Sequence, residues 1–384
     1  MGLFNKLFKK PSQEVSSQQN IANTNNQRKE RPTSLNVMFR GNPQHSGEYD
    51  NGGIEPTNTR LWQFETRGAV NISPVMVNGI IYAGSSDCNF YAIDALTGIE
   101  KWRFVKGDYM TSSPAVVNGI VYFGNLNGNL YAIDALTGKE KWNFKTSTVY
   151  SSPVIVNGMV FFGSFNGRLH AVNAVTGVEK WGFDAGNMIS SPSVANDIVY
   201  IGGGNFVFAV DALTGKEKWR FAAGAEVHSS PAVVNGIVYV GSGDKNLYAI
   251  DALTGKEKWR FGTKGKVKSS PAVVNGVVYV GSGDYVTHDD KNLYAIDALT
   301  GKEKWRFATG DYIESSPSVA NGVVYVGSGD NNLYAIDALT GKEKWRFGTR
   351  GCVESSPMIA NGIVYIGSQD KNLYAIGQKQ TQPK

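Results

Sequence analysis

The sequence has few cysteines and no long apolar run. Its 384 residues include only Cys88 and Cys352, which are too few for a disulfide framework and lack the spacing of a metal site. No apolar run approaches the ~20 residues that a membrane-spanning helix needs. The N-terminus has no continuous apolar segment and no small-residue cleavage site, so we expect no secretory signal and a cytoplasmic location.

Most of the chain has little excess of positive over negative charge. The net charge is +5, but residues 1–34 hold six Lys/Arg against two Glu, and residues 377–384 add two Lys. The body between these ends is therefore close to neutral. It has no basic footprint of the kind that binds nucleic acid, so we expect no nucleic-acid partner.

Tryptophan is confined to a repeat of about 40 residues, a period typical of repeat architectures. Each repeat contains four short β-branched or aromatic segments separated by turn residues, as in residues 229–261. Asn235-Gly236 joins the first two and predicts a hairpin, because both central positions of a type I′ turn need positive φ. Asp-Ala-Leu-Thr-Gly joins the last two, and its glycine suits a left-handed conformation. The eight tryptophans are Trp62, Trp102, Trp142, Trp181, Trp219, Trp259, Trp305 and Trp345.

The order of the segments predicts a closed ring rather than an open solenoid. A tryptophan segment at residues 61–64 precedes the first complete repeat, and the last repeat ends at Ile376 without one. We therefore predict an all-β fold, an eight-bladed β-propeller of four-stranded antiparallel blades, in which the N-terminal strand completes the last blade. The expected divisions are a disordered basic tail, a lead-in, the propeller and a C-terminal tail at residues 1–34, 35–60, 61–376 and 377–384.

The eleven residues from Ala92 to Trp102, and the copies ending at the next six tryptophans, resemble the tryptophan-docking motif of pyrroloquinoline quinone (PQQ) repeat propellers. The resemblance covers residues 61–376 and implies eight blades, with each tryptophan packed between neighbours. The segment from Met38 to Gly47 is similar to the lead-in of such proteins. The family includes quinoprotein dehydrogenases and non-catalytic scaffolds, among them outer-membrane assembly lipoproteins.

For the dehydrogenases, the resemblance implies PQQ on a tryptophan floor, near a calcium ion and a disulfide between adjacent cysteines. Here every tryptophan occupies the structural repeat position, and Cys88 and Cys352 are far apart in the sequence. We therefore expect no PQQ and no other cofactor. An enzyme is the less favoured of the two roles.

One repeat carries a six-residue insertion, Tyr285 to Asp290, between its second and third strands. Asp284, His288, Asp289 and Asp290 offer carboxylate oxygen and imidazole nitrogen, which are ligands for divalent cations. They form the candidate metal loop. The alternative, which a short polar loop favours, is a solvated turn without metal.

The repeats differ from one another mainly on one face of the predicted ring. Residues just before each Ser-Ser-Pro (Ile-Ser-Pro in the first repeat), and those two positions earlier, flank an apolar position and are expected to surround one mouth of the channel. Tyrosines are expected to anchor a partner there without stabilising the fold, beside a positive arc and a negative arc. Neutral drift at exposed positions is the alternative. The candidate binding residues are Asn71, Tyr109, Thr111, Tyr150, His228, Lys266, Lys268, Tyr312, Glu314 and Glu354.

The first ten residues form a second candidate interaction segment. On a helix, Leu3, Phe4, Leu7 and Phe8 make one apolar stripe opposite lysines, a pattern suited to the anionic inner surface of a membrane. The alternatives are a frayed tail or a segment docked on the propeller.

Two functions remain open from the sequence. The leading one is a monomeric, non-catalytic scaffold that binds a protein or peptide over the variable mouth. The other is a quinoprotein-type enzyme or sensor that binds PQQ or another small ligand there.

Overall fold

A computed structural model describes residues 37–106, 108–187 and 190–378. Within these ranges the regular elements are 32 β-strands, which form eight four-stranded antiparallel sheets. The innermost strand of each sheet contacts the innermost strands of both neighbouring sheets, so the sheets close a ring. The predicted all-β, eight-bladed propeller is confirmed. The described residues contain no helix long and apolar enough to cross a membrane.

The two strands nearest the channel are short and mostly buried. A tight turn with positive φ at both central residues joins them, as at Asn235 (51°) and Gly236 (73°), which agrees with the predicted hairpin. The inner strands are β2 (Val75–Val77), β6 (Ala115–Val117), β10 (Val154–Val156), β14 (Ser193–Ala195), β18 (Ala232–Val234), β22 (Ala272–Val274), β26 (Ser318–Ala320) and β30 (Met358–Ala360). The second strands are β3 (Ile80–Gly84), β7 (Ile120–Gly124), β11 (Met159–Gly163), β15 (Ile198–Gly203), β19 (Ile237–Gly241), β23 (Val277–Gly281), β27 (Val323–Gly327) and β31 (Ile363–Gly367).

In the outer half of each blade, the third strand is mostly buried and the outer strand alternates between half-buried and exposed residues. The alternation of exposed charged residues with half-buried aromatic residues suits a sheet edge, where charge discourages pairing with another chain. The third strands are β4 (Asn89–Asp94), β8 (Asn129–Asp134), β12 (Arg168–Asn173), β16 (Phe206–Asp211), β20 (Asn246–Asp251), β24 (Asn292–Asp297), β28 (Asn332–Asp337) and β32 (Asn372–Gly377). The outer strands are β1 (Arg60–Glu65), β5 (Glu100–Val105), β9 (Glu140–Lys145), β13 (Glu179–Asp184), β17 (Glu217–Ala222), β21 (Glu257–Gly262), β25 (Glu303–Ala308) and β29 (Glu343–Gly348).

The N-terminal strand closes the ring. Strand β1 pairs antiparallel with β32, placing Trp62 opposite Ala375 and Phe64 opposite Leu373, so the last sheet has the order β1-β32-β31-β30. The strands of one blade thus come from opposite ends of the chain, as the out-of-phase repeats predicted.

Each blade is joined to the next by its tryptophan. The indole N–H of Trp219 donates to the carbonyl oxygen of Ala252 in the following blade at 3.0 Å, and the hydroxyl of Tyr200 donates to the same oxygen at 3.1 Å. The structure places all eight tryptophans between blades. Seven indoles donate to the alanine of the next Asp-Ala-Leu-Thr-Gly turn (Asn-Ala-Val-Thr-Gly in one copy), and the eighth, Trp345, donates to the Pro56 carbonyl.

The glycine that ends this turn receives the tryptophan ring. Gly255 has a φ of 71°, and a Cβ on it would lie 2.7 Å from the Trp219 ring. Both the left-handed backbone and the close ring therefore require glycine. Gly236 in the same blade has a φ of 73°, but a Cβ there would meet nothing within 4 Å.

The lead-in lies inside the central channel, a position that the sequence did not predict. Backbone amides of four consecutive inner strands donate to its carbonyl oxygens, from Val194 to Pro43, Val233 to Gln44, Val273 to Ser46 and Val319 to Gly47, at 2.8–2.9 Å. The amide of Val37 and that of Val116 each donate to the other residue's carbonyl. The lead-in therefore occupies polar backbone groups of the channel wall that would otherwise need water.

Arg40 and His45 are buried in the centre of this segment. The guanidinium of Arg40 donates to the carbonyls of Ser270, at 2.8 Å, and Pro271. Burial lowers the pKa of Arg40 to about 10. Burial and, secondarily, the Arg40 charge lower the pKa of His45 to about 3. The His45 ring nitrogens have no hydrogen-bond partner among the described residues, so the imidazole is held neutral.

The docking glycine yields a stability prediction. We expect Gly236→Ala to lower the free energy of unfolding by ~1–2 kcal/mol, the usual cost of a left-handed alanine. Gly255→Ala should lower it by a further ~1–3 kcal/mol, because the added methyl group collides with Trp219. Urea denaturation of the two variants provides the comparison. Equal losses would show that the tryptophan does not depend on the glycine surface.

Buried His45 yields a pH prediction. Its pKa is about 3 in the folded protein and near 6.5 when unfolded, so below pH 6.5 the unfolded chain takes up a proton that the folded chain refuses. Lowering the pH from 7.5 to 5 should therefore reduce the free energy of unfolding of the wild-type chain by about 2 kcal/mol more than that of His45→Phe. His170, whose pKa is also lowered by burial, is present in both proteins, so the difference in pH slope isolates His45. Parallel slopes would contradict the prediction.

Candidate functional site

The two faces of the ring have different compositions, as the repeats predicted. On one face the alanine amide of the Asp-Ala-Leu-Thr-Gly turn donates to the Asn-Gly turn of its own blade, as from Ala95 to Gly79 at 2.9 Å. This face is called the turn face. On the other, the blade-to-blade links meet the second-to-third-strand turns, as where the Val149 amide donates to Asn125 at 3.1 Å. This is the variable face.

A closed ring of serine hydroxyls lies beneath the variable face. The backbone amide of the serine before each proline donates to the hydroxyl oxygen of the matching serine in the next blade, at 2.9–3.2 Å. The bond from Ser356 to Ser73 completes the circle. This ring was not predicted, although serine precedes proline in all eight repeats. Its members are Ser73, Ser113, Ser152, Ser191, Ser230, Ser270, Ser316 and Ser356.

The charged residues of the variable mouth form ion pairs, one of which joins two blades. Lys268 Nζ lies 2.9 Å from Glu314 Oε1, and Lys266 Nζ lies 3.0 Å from Asp284 Oδ2. His228 Nε2 lies 3.1 Å from Glu226 Oε2. Of the residues expected to form the two arcs, Lys268 and Glu314 neutralise each other across neighbouring blades. Lys266 and His228 each lie beside a carboxylate of their own repeat.

The remaining candidates differ in exposure. Asn71 is exposed, Tyr109 is half-exposed, and the hydroxyl of Thr111 donates to the Val149 carbonyl of the next link at 2.6 Å. The hydroxyl of Tyr312 donates to Glu354 Oε1 at 2.9 Å. These side chains share the mouth, but they do not converge on one point.

Tyr312 is buried, which corrects the expectation that its replacement would leave stability nearly unchanged. It is 4 % exposed, and its ring lies over Gly329, where a Cβ would come within 2.4 Å of it. Burial, and then the neighbouring Glu354 carboxylate, raise the pKa of its hydroxyl above the usual range. Gly329 leaves the space into which the ring turns.

A cavity of about 200 Å³ lies at the mouth, between the third, fourth and fifth blades. Tyr150 and Phe165 form its aromatic wall, with rings 6.0 Å apart in an edge-to-face arrangement, and they are 52 % and 48 % exposed. Phe165 was not among the predicted site residues, although it stands where most repeats have glycine or another small residue. The cavity is lined by Tyr150, Ser151, Gly163, Ser164, Phe165, Ser190, Ser191, His228 and Ser230.

The candidate metal loop does not form a metal site, because its four side chains bind different partners. His288 Nδ1 lies 2.6 Å from Asp311, and Asp289 Oδ2 lies 2.9 Å from Lys245 Nζ. The described residues contain no group of three metal-ligating side chains. The structure therefore does not bring the four candidate ligands together at one point.

The other two acids of this loop serve structural roles. Asp290 accepts the Tyr294 hydroxyl at 2.9 Å, as Asp244 does from Tyr248 in the preceding blade, so the added residues are 284–289 rather than 285–290. Asp284 is fully buried. Burial alone would raise its pKa, but bonds from the Thr287 amide and Lys266 hold that pKa far below its usual range.

A quinone site of the kind implied by the resemblance is not built by these residues. All eight indoles bond to neighbouring structure, and Cys88 and Cys352 are separate free thiols. The lead-in occupies the channel below the mouth. The described residues therefore do not fit PQQ.

The sequence matches a known protein family, and the fold matches solved structures. The family model described as outer membrane protein assembly factor BamB matches residues 54–206, 203–315 and 289–382. No curated protein matches the sequence.

Solved structures share the fold at low identity. BamB from Moraxella catarrhalis has a TM-score of 0.72 at 18 % identity and covers 83 % of this chain and 99 % of its own. A europium-containing methanol dehydrogenase has a TM-score of 0.73 at 17 % identity and covers 90 % and 89 %. The quinohemoprotein alcohol dehydrogenase from Comamonas testosteroni has the same score and identity and covers 92 % and 82 %. From its match to the family model over most of its length, the chain belongs to the BamB-like family of PQQ-repeat propellers.

Proposed function

We propose that this chain is a non-catalytic scaffold that binds a protein or peptide partner at the variable face. The observation that carries the proposal is the cavity beside Tyr150 and Phe165, two large rings that are half-exposed at an open mouth. Aromatic side chains of this kind supply most of the energy at protein interfaces, because they bury a large area with little loss of conformational entropy.

The polar surroundings of the cavity favour recognition over catalysis. Its wall carries serine hydroxyls and the imidazole of His228, whose partner is Glu226. Lys268 and Glu314 already neutralise each other farther round the mouth. Such groups orient a partner through hydrogen bonds and local charge, while the rings supply the buried surface.

The cavity is the size of one or two side chains, which suits a peptide segment. The alternative from the sequence was PQQ or another small ligand, and the fold relatives include quinoprotein dehydrogenases. Every tryptophan is used in blade docking, which supports a peptide rather than PQQ as the ligand. We propose that binding at this mouth needs no cofactor.

The cavity yields a binding prediction. A partner is first captured from the native cell and purified, and its affinity is then measured with the wild-type chain and with Tyr150→Ala/Phe165→Ala. The double variant should weaken binding by ~1–3 kcal/mol or more, because both aromatic anchors are lost.

The matched control is Leu213→Ala/Leu253→Ala, which removes two exposed apolar side chains from the turn face. It should leave the affinity unchanged. Loss of affinity in this control, with none in the aromatic variant, would place the partner on the other face. Melting temperatures of both variants verify that each is folded.

The tail carries a second part of the proposal. Residues 1–10 lie outside the described residues, and we propose that Phe4, Phe8 and the nearby lysines contact the anionic inner surface of the membrane. The chain would then work as a monomer in the cytoplasm, held at that surface.

The tail yields a vesicle prediction. Phe4→Glu/Phe8→Glu should release most of the protein from phosphatidylcholine–phosphatidylserine vesicles in sedimentation, and raised salt should weaken the wild-type binding. Gln18→Glu/Gln19→Glu adds the same charge outside the apolar stripe and should bind nearly as the wild type. Equal sedimentation of the two variants would contradict a role for the stripe.

A further inference from the structure

Seven turns display an exposed aliphatic side chain on the turn face. Their exposures lie between 59 % and 85 %. Ile99 and Val178 add two more in the first and third blades. The seven are called the leucine ring: Leu96, Leu136, Val175, Leu213, Leu253, Leu299 and Leu339.

The fold explains every turn residue except this one. In the fifth blade, Asp251 accepts bonds from the Leu253 and Thr254 amides and from the Thr254 hydroxyl, at 2.9–3.2 Å. The Ala252 carbonyl accepts the indole N–H of Trp219, and the ring of Trp219 packs on Gly255. Leu253 contributes only its backbone, so a polar residue would serve the turn equally well. An apolar side chain repeated at such a position indicates a surface that is covered by something else.

Lysines accompany the leucine ring. The residue after each turn glycine is an exposed lysine in five blades, and none of the five forms an ion pair within the described part of the chain. The lysine two positions later is different, because it pairs with a carboxylate in all five blades. In four of them this is the turn aspartate, as where Lys218 lies 3.2 Å from Asp211, and in the fifth it is Glu55. The five are Lys139, Lys216, Lys256, Lys302 and Lys342. Asp50 and Asp197 are exposed on the same face, so attraction depends on the leucines as well as on charge.

The described lead-in enters the channel from this face. Val37 pairs antiparallel with Val116, and β6 runs from the variable-face side toward the Asn118-Gly119 turn. The lead-in therefore runs the opposite way at this point, from the turn face into the channel. Residues 1–34, which hold six Lys/Arg against two Glu, precede this lead-in in the sequence.

We propose that the turn face is a membrane-docking face that seats on an anionic lipid bilayer. The leucine ring reaches the boundary between headgroups and acyl chains, and the five lysines lie among the lipid phosphates and carboxylates. One type of side chain, repeated around a disc in one orientation, matches a planar surface. This inference goes beyond the protein partner and leaves the variable face turned toward the cytoplasm.

The test uses the full chain and vesicles of phosphatidylcholine with or without one quarter phosphatidylserine. Leu213→Ser/Leu253→Ser/Leu299→Ser should lower the partition coefficient on anionic vesicles at least about fivefold. Lys256→Gln/Lys302→Gln should lower it and reduce its salt dependence. In the Phe4→Glu/Phe8→Glu background, the serine substitutions should remove the residual binding.

Matched controls come from the variable face. Tyr109→Ser/Tyr285→Ser/Val286→Ser removes three exposed apolar side chains, and Lys264→Gln/Lys371→Gln removes two exposed lysines. Both should bind as the wild type does. Because these positions are exposed, all variants are expected to remain folded, and melting temperatures check this.

A polarity-sensitive dye separates this face from the tail. It is attached at Leu253→Cys or at Val286→Cys in a Cys88→Ser/Cys352→Ser chain. On anionic vesicles the emission should shift to the blue at position 253 and stay constant at position 286. Unchanged emission at both positions, or leucine-ring variants that bind like the wild type, would overturn the proposal. The tail proposal would still stand if only its own variant lost binding.

Discussion

The hydrogen bond from each tryptophan to the next blade is the contact on which the ring depends. It joins an outer strand to a backbone carbonyl in the following turn, and the ring of Trp219 lies on Gly255. Each blade presents a surface that its neighbour must cover, so blades stabilise one another in a circle. At the eighth junction the last blade has no such turn, and Pro56 supplies the carbonyl for Trp345. The hydroxyl of Tyr325, beside that junction, has no hydrogen-bond partner among the described residues. In other blades the matching tyrosine donates to the turn alanine, as Tyr200 does to Ala252.

This docking explains why the two faces of the protein differ. Each of the seven turns on the turn face keeps aspartate or asparagine, then alanine, threonine and glycine, because each makes a bond or contact in the turn or with the docked tryptophan. The variable face is fixed instead by the serine ring, which uses one hydroxyl per blade and leaves the flanking positions free to change. The aromatic pair Tyr150 and Phe165 occupies such free positions. A chain of near-identical repeats thereby acquires one place on the mouth that differs from the rest.

The lead-in turns an open ring into a filled one. Its carbonyls accept bonds from inner strands on both sides of the channel, and Arg40 binds the carbonyls of Ser270 and Pro271. The cavity at the variable mouth is therefore a shallow site above a filled channel. The described lead-in enters the channel from the turn face. The two proposals therefore place partner binding and membrane contact on opposite faces of the propeller.

The repeat period, the turn residues and the out-of-phase ends were enough to predict the blades, their number, the closing strand and the variable face. These features follow from local patterns, because strand periodicity and turn geometry depend on neighbouring residues. The burial of Tyr312, the pairing of Lys268 with Glu314, the dispersal of the loop acids and the wall formed by Phe165 did not follow. Each depends on contacts between residues of different blades or across a turn, whose distances are set by the curvature of the ring and by the space that individual glycines leave.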